Sequence, residues 1–551
     1  MRVVVDLTKC QGYAQCAFLA PSSFRMQGDE ALMYDPSPAD DQRERVHRAA
    51  AACPVQAIQI DRLSVQDMPP VHSGDHPSRI VVIGASLAGL RAAEALREEG
   101  FTGSLTLIDG EDCEPYDRPP LSKQALSGQV APHATALPHR ADLDATWRLG
   151  CTAIGLDLAE RRVRLEDGSS VPFDRLLITT GVRARPWPDP VEAALDGMFV
   201  LRTRDDAQRL HERLALLAPH GTAAHLSASQ GPAEQRDAGG GTPRVLVIGA
   251  GFAGSEVAST CRSMGLDVIV AEAAATPLAG ALGGVIGAVA ADLQREHGVD
   301  LRCGVTVEAI EGDPDGRVRR ARFSDGTEAD VAVVVAALGG VRNVEWLRDS
   351  GLAVGEWGVA CDAGCRAFDV NGLVLDDVFV AGDVARSPNA MFGYQFLALE
   401  HWANAVAQAE VAAHNMVSDE SDRWPHLHMP SFWSLQFGTN IKAVGVPTFS
   451  DEVVVTQGSV QERRFAAAYG YKGRLTAAVT FNHGKWLPFY ERLIEQAAPF
   501  PPEFTTVEQP DSMVPVPADV PDPKFLARDA TVVVTGHDPS SRSASFVRSP
   551  R

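Results

Sequence analysis

Two glycine loops offer the first readable chemistry. Arg79 to Asp109 reads RIVVIGASLAGLRAAEALREEGFTGSLTLID, and Arg244 to Glu272 reads RVLVIGAGFAGSEVASTCRSMGLDVIVAE. Each is an apolar run, a glycine turn, an amphipathic stretch and a second apolar run ending in an acid. That is the strand–turn–helix–strand unit that binds an ADP moiety. Glycines let the backbone turn tightly and approach a pyrophosphate. The helix N-terminus then presents N–H groups and a positive dipole end to the phosphates. The first loop supplies Gly84, Ser86, Leu87, Ala88 and Gly89, with Asp109, Gly110 and Glu111 at the next strand tip. The second supplies Gly249, Gly251, Phe252, Ala253 and Gly254, with Glu272 at the tip. Ser86 stands where the middle glycine of the motif belongs; it is small and carries a hydroxyl donor. Glu272 can accept a ribose 2′-hydroxyl. It would repel a 2′-phosphate, and Ala273–Ala275 offer no arginine to hold one.

These loops need strands and helices to position them. Ile80–Ile83, Leu105–Ile108, Asp267–Ala271 and Val331–Ala337 read as buried strands, with helices from about Leu90 and from Ser255. Two such units in 551 residues predict two Rossmann-like α/β domains. The composition is globular, 45% hydrophobic and 22% charged, and the formal charge of −21 argues against a nucleic-acid partner. No apolar run is long enough to span a bilayer, and the N-terminus lacks a signal-peptide pattern. Nine scattered cysteines argue against disulfides and for a reducing cytoplasm.

Further motifs specify the family. Pro115-Tyr-Asp-Arg-Pro-Pro-Leu-Ser-Lys123, Leu176-Leu-Ile-Thr-Thr-Gly181, Val378-Phe-Val-Ala-Gly-Asp383 and Glu400-His-Trp-Ala-Asn-Ala405 follow the first loop. Together with the duplicated loops they resemble the NADH-dependent ferredoxin reductases that serve oxygenases, the putidaredoxin reductase and biphenyl dioxygenase reductase types. The resemblance implies FAD on the first unit and NADH on the second. It places Arg118, Ala153, Thr180, Gly181, Arg202, Asp383 and Trp402 against the flavin cofactor. It makes Lys123 and Glu256 a catalytic pair at the flavin–nicotinamide junction, where each would favour the other's charged form. A plain helix N-terminal acid is a second account of Glu256. Gly339-Gly-Val-Arg-Asn343 departs from the family's G-x-x-P-N by Arg342. Pro430-Ser-Phe-Trp433-Ser-Leu-Gln-Phe437 resembles the opening of its C-terminal α+β domain, with Leu435 and Phe437 in place of aspartate and tyrosine.

Residues 1–62 form a separate module. Cys10 and Cys16 match the first and third positions of the bacterial C-x-x-C-x-x-C-x-x-x-C-P run, Tyr13 stands at the second, and Cys53-Pro54 supplies the distant C-P. This resembles the small single-cluster bacterial ferredoxins whose second cysteine is replaced, with an α+β ferredoxin-like fold. Cys10, Cys16 and Cys53 are the implied ligands of a 3Fe-4S cluster, or of a 4Fe-4S cluster that takes an outside ligand. Val3–Val5 and Ala57–Ile60 read as strands and Gln42–Ala52 as a helix.

The expected organisation is a ferredoxin domain at 1–62 and a linker at 63–78. An FAD-binding domain follows at 79–189 and 336–425, enclosing an NAD-binding domain at 190–335 with a Gly/Ala/Ser-rich insertion at 219–243. An α+β domain at 426–500 precedes an extended tail at 501–551, in which Thr531–Val534 would add an edge strand. Such a chain takes a hydride from NADH onto FAD. It splits the pair into single electrons for its own cluster and passes them to an oxygenase, a cytochrome P-450 type monooxygenase by the resemblance of the ferredoxin, with a Rieske oxygenase as the second choice. No C-x-x-C follows the first loop, which disfavours a thiol–disulfide substrate. The competing reading is a redox-sensing scaffold flavoprotein resembling apoptosis-inducing factor.

Overall fold

The computed structural model describes residues 1–10, 12, 14–27, 31–53, 57–60, 77–140, 143–219 and 244–502, with three strand segments of the tail. Tyr13, Pro54, most of the expected linker at 63–78 and nearly all of the insertion at 219–243 lie outside the described residues.

The first glycine loop rises from a six-stranded sheet ordered Arg366–Phe368, Val374–Val380, Arg175–Ile178, Arg79–Ile83, Ser104–Ile108, Thr146–Arg148. The last five strands run parallel, and Arg366–Phe368 is the antiparallel edge. Parallel strands covered on both faces must be apolar throughout, and Ile80–Ile83 and Leu176–Ile178 are fully buried accordingly. On one face the helices Leu87–Glu98 and Trp402–Val417 pack through Ala92, Ala93, Ala405, Ala409 and Ala412, whose small side chains let the helices approach closely. The other face carries the antiparallel sheet of Ala153–Asp157, Arg162–Leu165 and Ser170–Pro172.

The second loop rises from a five-stranded parallel sheet: Met198–Phe199, Val333–Ala336, Arg244–Ile248, Asp267–Glu272, Asp300–Cys303. All of its strands fall between Ile178 and Arg366, so this layer is inserted into the first. Both loop helices begin earlier than the sequence suggests, at Leu87 rather than Leu90 and at Phe252 rather than Ser255. The third glycine of each motif is the third helical residue, not the end of the turn.

The C-terminal layer is antiparallel, ordered Ser431–Gln436, Thr439–Gly445, Arg474–Phe481, Arg464–Tyr471, Glu452–Ser459, with helix Leu487–Glu495 against it. Val516–Pro517 adds the edge strand. Thr531–Thr535, where an edge strand was expected over Thr531–Val534, pairs antiparallel with Ser543–Val547 in a two-stranded sheet of its own. A partner a few residues ahead closes a short loop and costs less entropy than a distant edge.

In the N-terminal module Val3–Val5 pairs antiparallel with Ile58–Ile60, and Phe24–Gln27 with Ala31–Tyr34. Helices Gln15–Leu19 and Arg43–Ala51 complete it around Val3, Phe24, Leu32, Val46 and Ala49. The module is seated on the rest of the chain. Val4 shares an apolar cluster with Leu90, Leu137 and Trp402. The Arg91 guanidinium donates to Gln59 Oε1, and the Lys442 ammonium donates to the carbonyl of Cys10.

Candidate cofactor site

The two loops are built alike. A Cβ on Gly84 would lie 2.4 Å from the Thr179 carbonyl oxygen, and on Gly249 2.5 Å from that of Ala337. Both glycines also have positive φ, 97° and 96°, so no side chain fits at either. A Cβ on Gly89 would sit 2.0 Å from Gly84 O, and on Gly254 1.9 Å from Gly249 O; these glycines let helix and turn touch. The middle position makes no such demand. Gly251 has φ −69° and open space around it, and Ser86 has φ −77°. Serine is therefore accommodated without backbone strain, which accounts for its departure from the motif.

Neither Ser86 nor any other side chain caps the helix Leu87–Glu98, and none caps Phe252–Ser263. Their first N–H groups stay available to an anion. The strand-tip acids brace the loops: Asp109 accepts from Ala85 N at 2.5 Å and Glu111 N at 2.9 Å, and Glu272 accepts from Ala250 N at 2.6 Å and Ala274 N at 2.7 Å. Burial pushes the Asp109 carboxyl up, and those two N–H bonds oppose it.

A cavity of about 670 Å³ runs from the first loop to the second, within the size range of small-molecule sites. Gly84, Ser86, Leu87 and Ala88 line it with Asp109, Gly110, Glu111 and Ala153 at one end. Arg118, Lys123, Thr180, Gly181, Arg202, Asp383 and Trp402 line it further along, and Phe252, Ala253 and Glu256 close it from the second unit. Gly89, Gly249, Gly251, Gly254 and Glu272 are not part of this wall. Gly89 is packed inside the first turn, and the others belong to the second unit's own loop.

The lining is cross-braced. Lys123 Nζ lies 2.6 Å from Glu256 Oε2, with both side chains mostly buried. The hydroxyls of Ser122 and Ser434 each donate to Glu256 at 2.6 Å, one to each oxygen. Neither serine was assigned a role from the sequence, although both stand inside quoted motifs. Arg202 pairs with Asp383 at 3.0 Å, and Arg118 with Glu111 at 2.7 Å. Thr180 and Asn343 bond reciprocally, Oγ1 to Asn343 O and Nδ2 to Thr180 O, each at 2.8 Å. Arg342 lies in the strand Gly340–Arg342 and forms an ion pair with Glu400 at 2.8 Å, so it supplies a charge link where the family pattern has proline. His401 also lines the cavity; burial pushes its imidazole down to about 4, so it is neutral.

These residues fit FAD. An uncapped helix N-terminus faces the slot, and two acids, Asp109 and Glu111, line it beside that loop. A buried ammonium and carboxylate mark the far end, where Phe252 and Ala253 bring the second unit in.

In the N-terminal module Cys10, Cys16 and Cys53 border one core. Burial, then the nearby Cys10 and Cys53, push the Cys16 thiol up to about 11. Ala57 N donates to Cys53 Sγ at 3.3 Å. Among the described residues no three side chains converge tightly enough for a single metal ion. A cuboidal cluster holds its thiolates at separate corners and does not require that convergence.

Residues 78–409 match the family model "Pyridine nucleotide-disulphide oxidoreductase", 431–511 match "Reductase C-terminal", and 3–60 match "4Fe-4S single cluster domain". The chain is 31% identical over 421 residues to the anthranilate 1,2-dioxygenase system ferredoxin–NAD(+) reductase component of Burkholderia cepacia, covering 76% of this chain and 94% of that one. The chain belongs to the oxygenase-system ferredoxin–NAD(+) reductases. It carries an iron–sulfur domain in front. The reductase is also 32% identical to rhodocoxin reductase of Rhodococcus erythropolis, covering 77% and 91% of the two chains. Among solved structures it is similar to the covalent putidaredoxin reductase–putidaredoxin complex, at TM-score 0.67, 26% identity and coverage of 77% and 94%. The ferredoxin reductase for the CYP199A2 system from Rhodopseudomonas palustris matches at TM-score 0.65, 27% identity and coverage of 77% and 98%. The enzyme is thus an FAD-dependent oxidoreductase using NAD(H) and an iron–sulfur cluster. Among the described residues no helix is long and apolar enough to cross a membrane.

Proposed function

We propose that this reductase is self-sufficient up to its terminal acceptor: electrons pass from NADH to its own N-terminal cluster and then to a cytochrome P-450 type monooxygenase in the cytoplasm. The observation that carries the reading is the seating of the cysteine-bearing module beside Trp402, at the wall of the flavin cavity. When bound, FAD takes two electrons from NADH and gives them up singly, which an iron–sulfur cluster requires. The domain division given above from the sequence, with a ferredoxin-like fold at 1–62, goes with this reading.

The side chains have distinct tasks. Gly84, Ser86 and the first N–H groups after them receive the FAD pyrophosphate, with Asp109 and Glu111 towards the ribose. Arg202 and Asp383 stand beside the flavin chain. Lys123 offers positive charge at the reacting end of the flavin, and Glu256, held by Ser122 and Ser434, keeps that ammonium in place. Gly251 and Glu272 receive NADH. Cys10, Cys16 and Cys53 would hold a 3Fe-4S cluster, because three thiolates can serve three irons and Tyr13 stands where the second cysteine of the run would be. The monooxygenase acceptor is favoured by the ferredoxin type and by the similarity to a reductase named for the CYP199A2 system.

The test is electron paramagnetic resonance of the holoenzyme with paired turnover assays. A signal from oxidised protein that anaerobic NADH abolishes is expected; silence before NADH and a signal after it overturns the 3Fe-4S assignment. Cys16→Ser should abolish NADH-driven cytochrome c reduction and keep ferricyanide reduction. Equal retention of both rates would overturn transfer through the cluster.

A further inference from the structure

Asp117 stands where the cavity wall meets the N-terminal module. It is only 4% exposed, and its two oxygens serve different parts of the chain. Oδ1 accepts from Trp402 Nε1 at 3.0 Å, and Oδ2 accepts from the Tyr34 hydroxyl at 3.2 Å. Tyr34 ends the module's second hairpin strand and is itself buried. Trp402 begins the helix beneath the flavin cavity. A buried carboxylate is tolerated when its lone pairs are filled. Here one of its two donors belongs to a separately connected module, so the site is complete only with that module seated. Lys123 and Arg91 add positive charge nearby, while burial still pushes the Asp117 carboxyl up to about 6.

We propose that Asp117 is a positioning residue for internal electron transfer, a latch that holds the N-terminal module docked by Tyr34 while fixing the indole of Trp402 against the flavin site. The proposal rests on the electron route under "Proposed function". The surrounding contacts divide the labour. Val4 against Leu90 and Leu137 supplies apolar area without direction, and Arg91 to Gln59 ties the module's edge. The Tyr34–Asp117–Trp402 chain joins module and cavity wall through one side chain. Charge-assisted bonds of this kind are short-ranged and directional, so they set orientation where apolar contact cannot.

The experiment compares wild type, Tyr34→Phe and Asp117→Asn as full-length holoenzymes. After rapid mixing with NADH, flavin bleaching is followed by absorbance and cluster reduction by freeze-quench electron paramagnetic resonance. Tyr34→Phe leaves the reductase side untouched and removes only the hydroxyl. It should leave flavin bleaching and the NADH KM unchanged and slow cluster reduction by roughly tenfold or more, the effect of losing one charge-assisted bond on a docking equilibrium. Asp117→Asn should slow cluster reduction likewise, with the tryptophan fluorescence altered because the indole loses its charged acceptor. Cluster reduction at the wild-type rate in Tyr34→Phe overturns the latch. Failure of NADH to reduce the cluster in wild type overturns the underlying route instead, so the two failures are distinct.

Discussion

The Lys123 ammonium and the Glu256 carboxylate meet at 2.6 Å across 133 residues of sequence, joining the segment after the first Rossmann unit to the helix of the second. Both cofactor-binding layers therefore share one charge pair at their junction. Glu256→Leu removes the carboxylate shared by the ammonium and two serine hydroxyls, a loss of about 3–5 kcal/mol when one partner of a buried pair is removed. The double variant Lys123→Met/Glu256→Leu should regain part of that stability in thermal melts, because two apolar groups leave no uncompensated charge. Its reduction by NADH should nevertheless slow on the order of 10²-fold in stopped flow. A double variant reduced at the wild-type rate would remove the pair from the chemistry.

The second loop separates packing from binding. Gly254→Ala forces a methyl against a backbone oxygen 1.9 Å away and should cost about 1–3 kcal/mol. Gly251→Ala meets open space at an ordinary φ. It should move the melting temperature little and raise the NADH KM, since the methyl stands where the pyrophosphate approaches. Equal losses of stability in the two variants would contradict this division.

The Glu272 carboxylate, at the tip of the second unit's strand, is steadied by Ala250 N and Ala274 N. Glu272→Ala should raise the NADH KM roughly tenfold, consistent with losing a charge-assisted bond, and lift relative activity with NADPH by removing the repulsion. Steady-state ferricyanide assays with both nucleotides measure this. Unchanged discrimination would place the determinant elsewhere.

Acid should destabilise the segment that joins the helix Trp402–Val417 to the C-terminal layer. His426 is 5% exposed, and burial, with a smaller effect of His428, pushes its imidazole down to about 4 from the ordinary 6.5. A depressed histidine pKa means that the unfolded chain binds the proton more tightly. The stabilisation is full above about pH 6.5 and is lost as pH falls towards 4, by a few kcal/mol. The melting temperature should drop across that window, and His426→Leu should flatten the fall. A variant whose melting curve tracks the wild type's at every pH would exclude this histidine as the cause.

The parts of the site that were legible in the sequence are those set by local backbone demands. Gly84, Gly89, Gly249 and Gly254 are dictated by contacts a few residues away or by a turn that any such unit must make. PYDRPPLSK is legible because, as a run, it resembles the flavin-contacting signature of the family. Ser122 and Ser434 were silent, since their shared acceptor lies 134 and 178 residues distant and a serine carries no periodic signal. Tyr34 and Asp117 are likewise ordinary residues until two layers bring them together. The helix starts at Leu87 and Phe252 lie ahead of the expected ones because the third glycine of each motif, a poor helix former, sits inside the first helical turn. The tail strand Thr531–Thr535 was seen, but not its pairing with Ser543–Val547. Strand propensity names a strand and not its neighbour.

The insertion of the second sheet into the first also sets an order of assembly on the ribosome. Strands from Arg79 to Ile178 emerge early, yet Arg175–Ile178 must wait for Val374–Val380 to cover its open edge. At roughly 5–20 residues per second the gap lasts on the order of 10–40 s. During that time an apolar parallel edge stands bare while the inserted layer, contiguous in sequence, can close by itself. The flavin fold should thus be the late and chaperone-dependent part of biosynthesis. Nascent chains stalled before Val374 should bind holdases, and those stalled beyond Val380 should shed them.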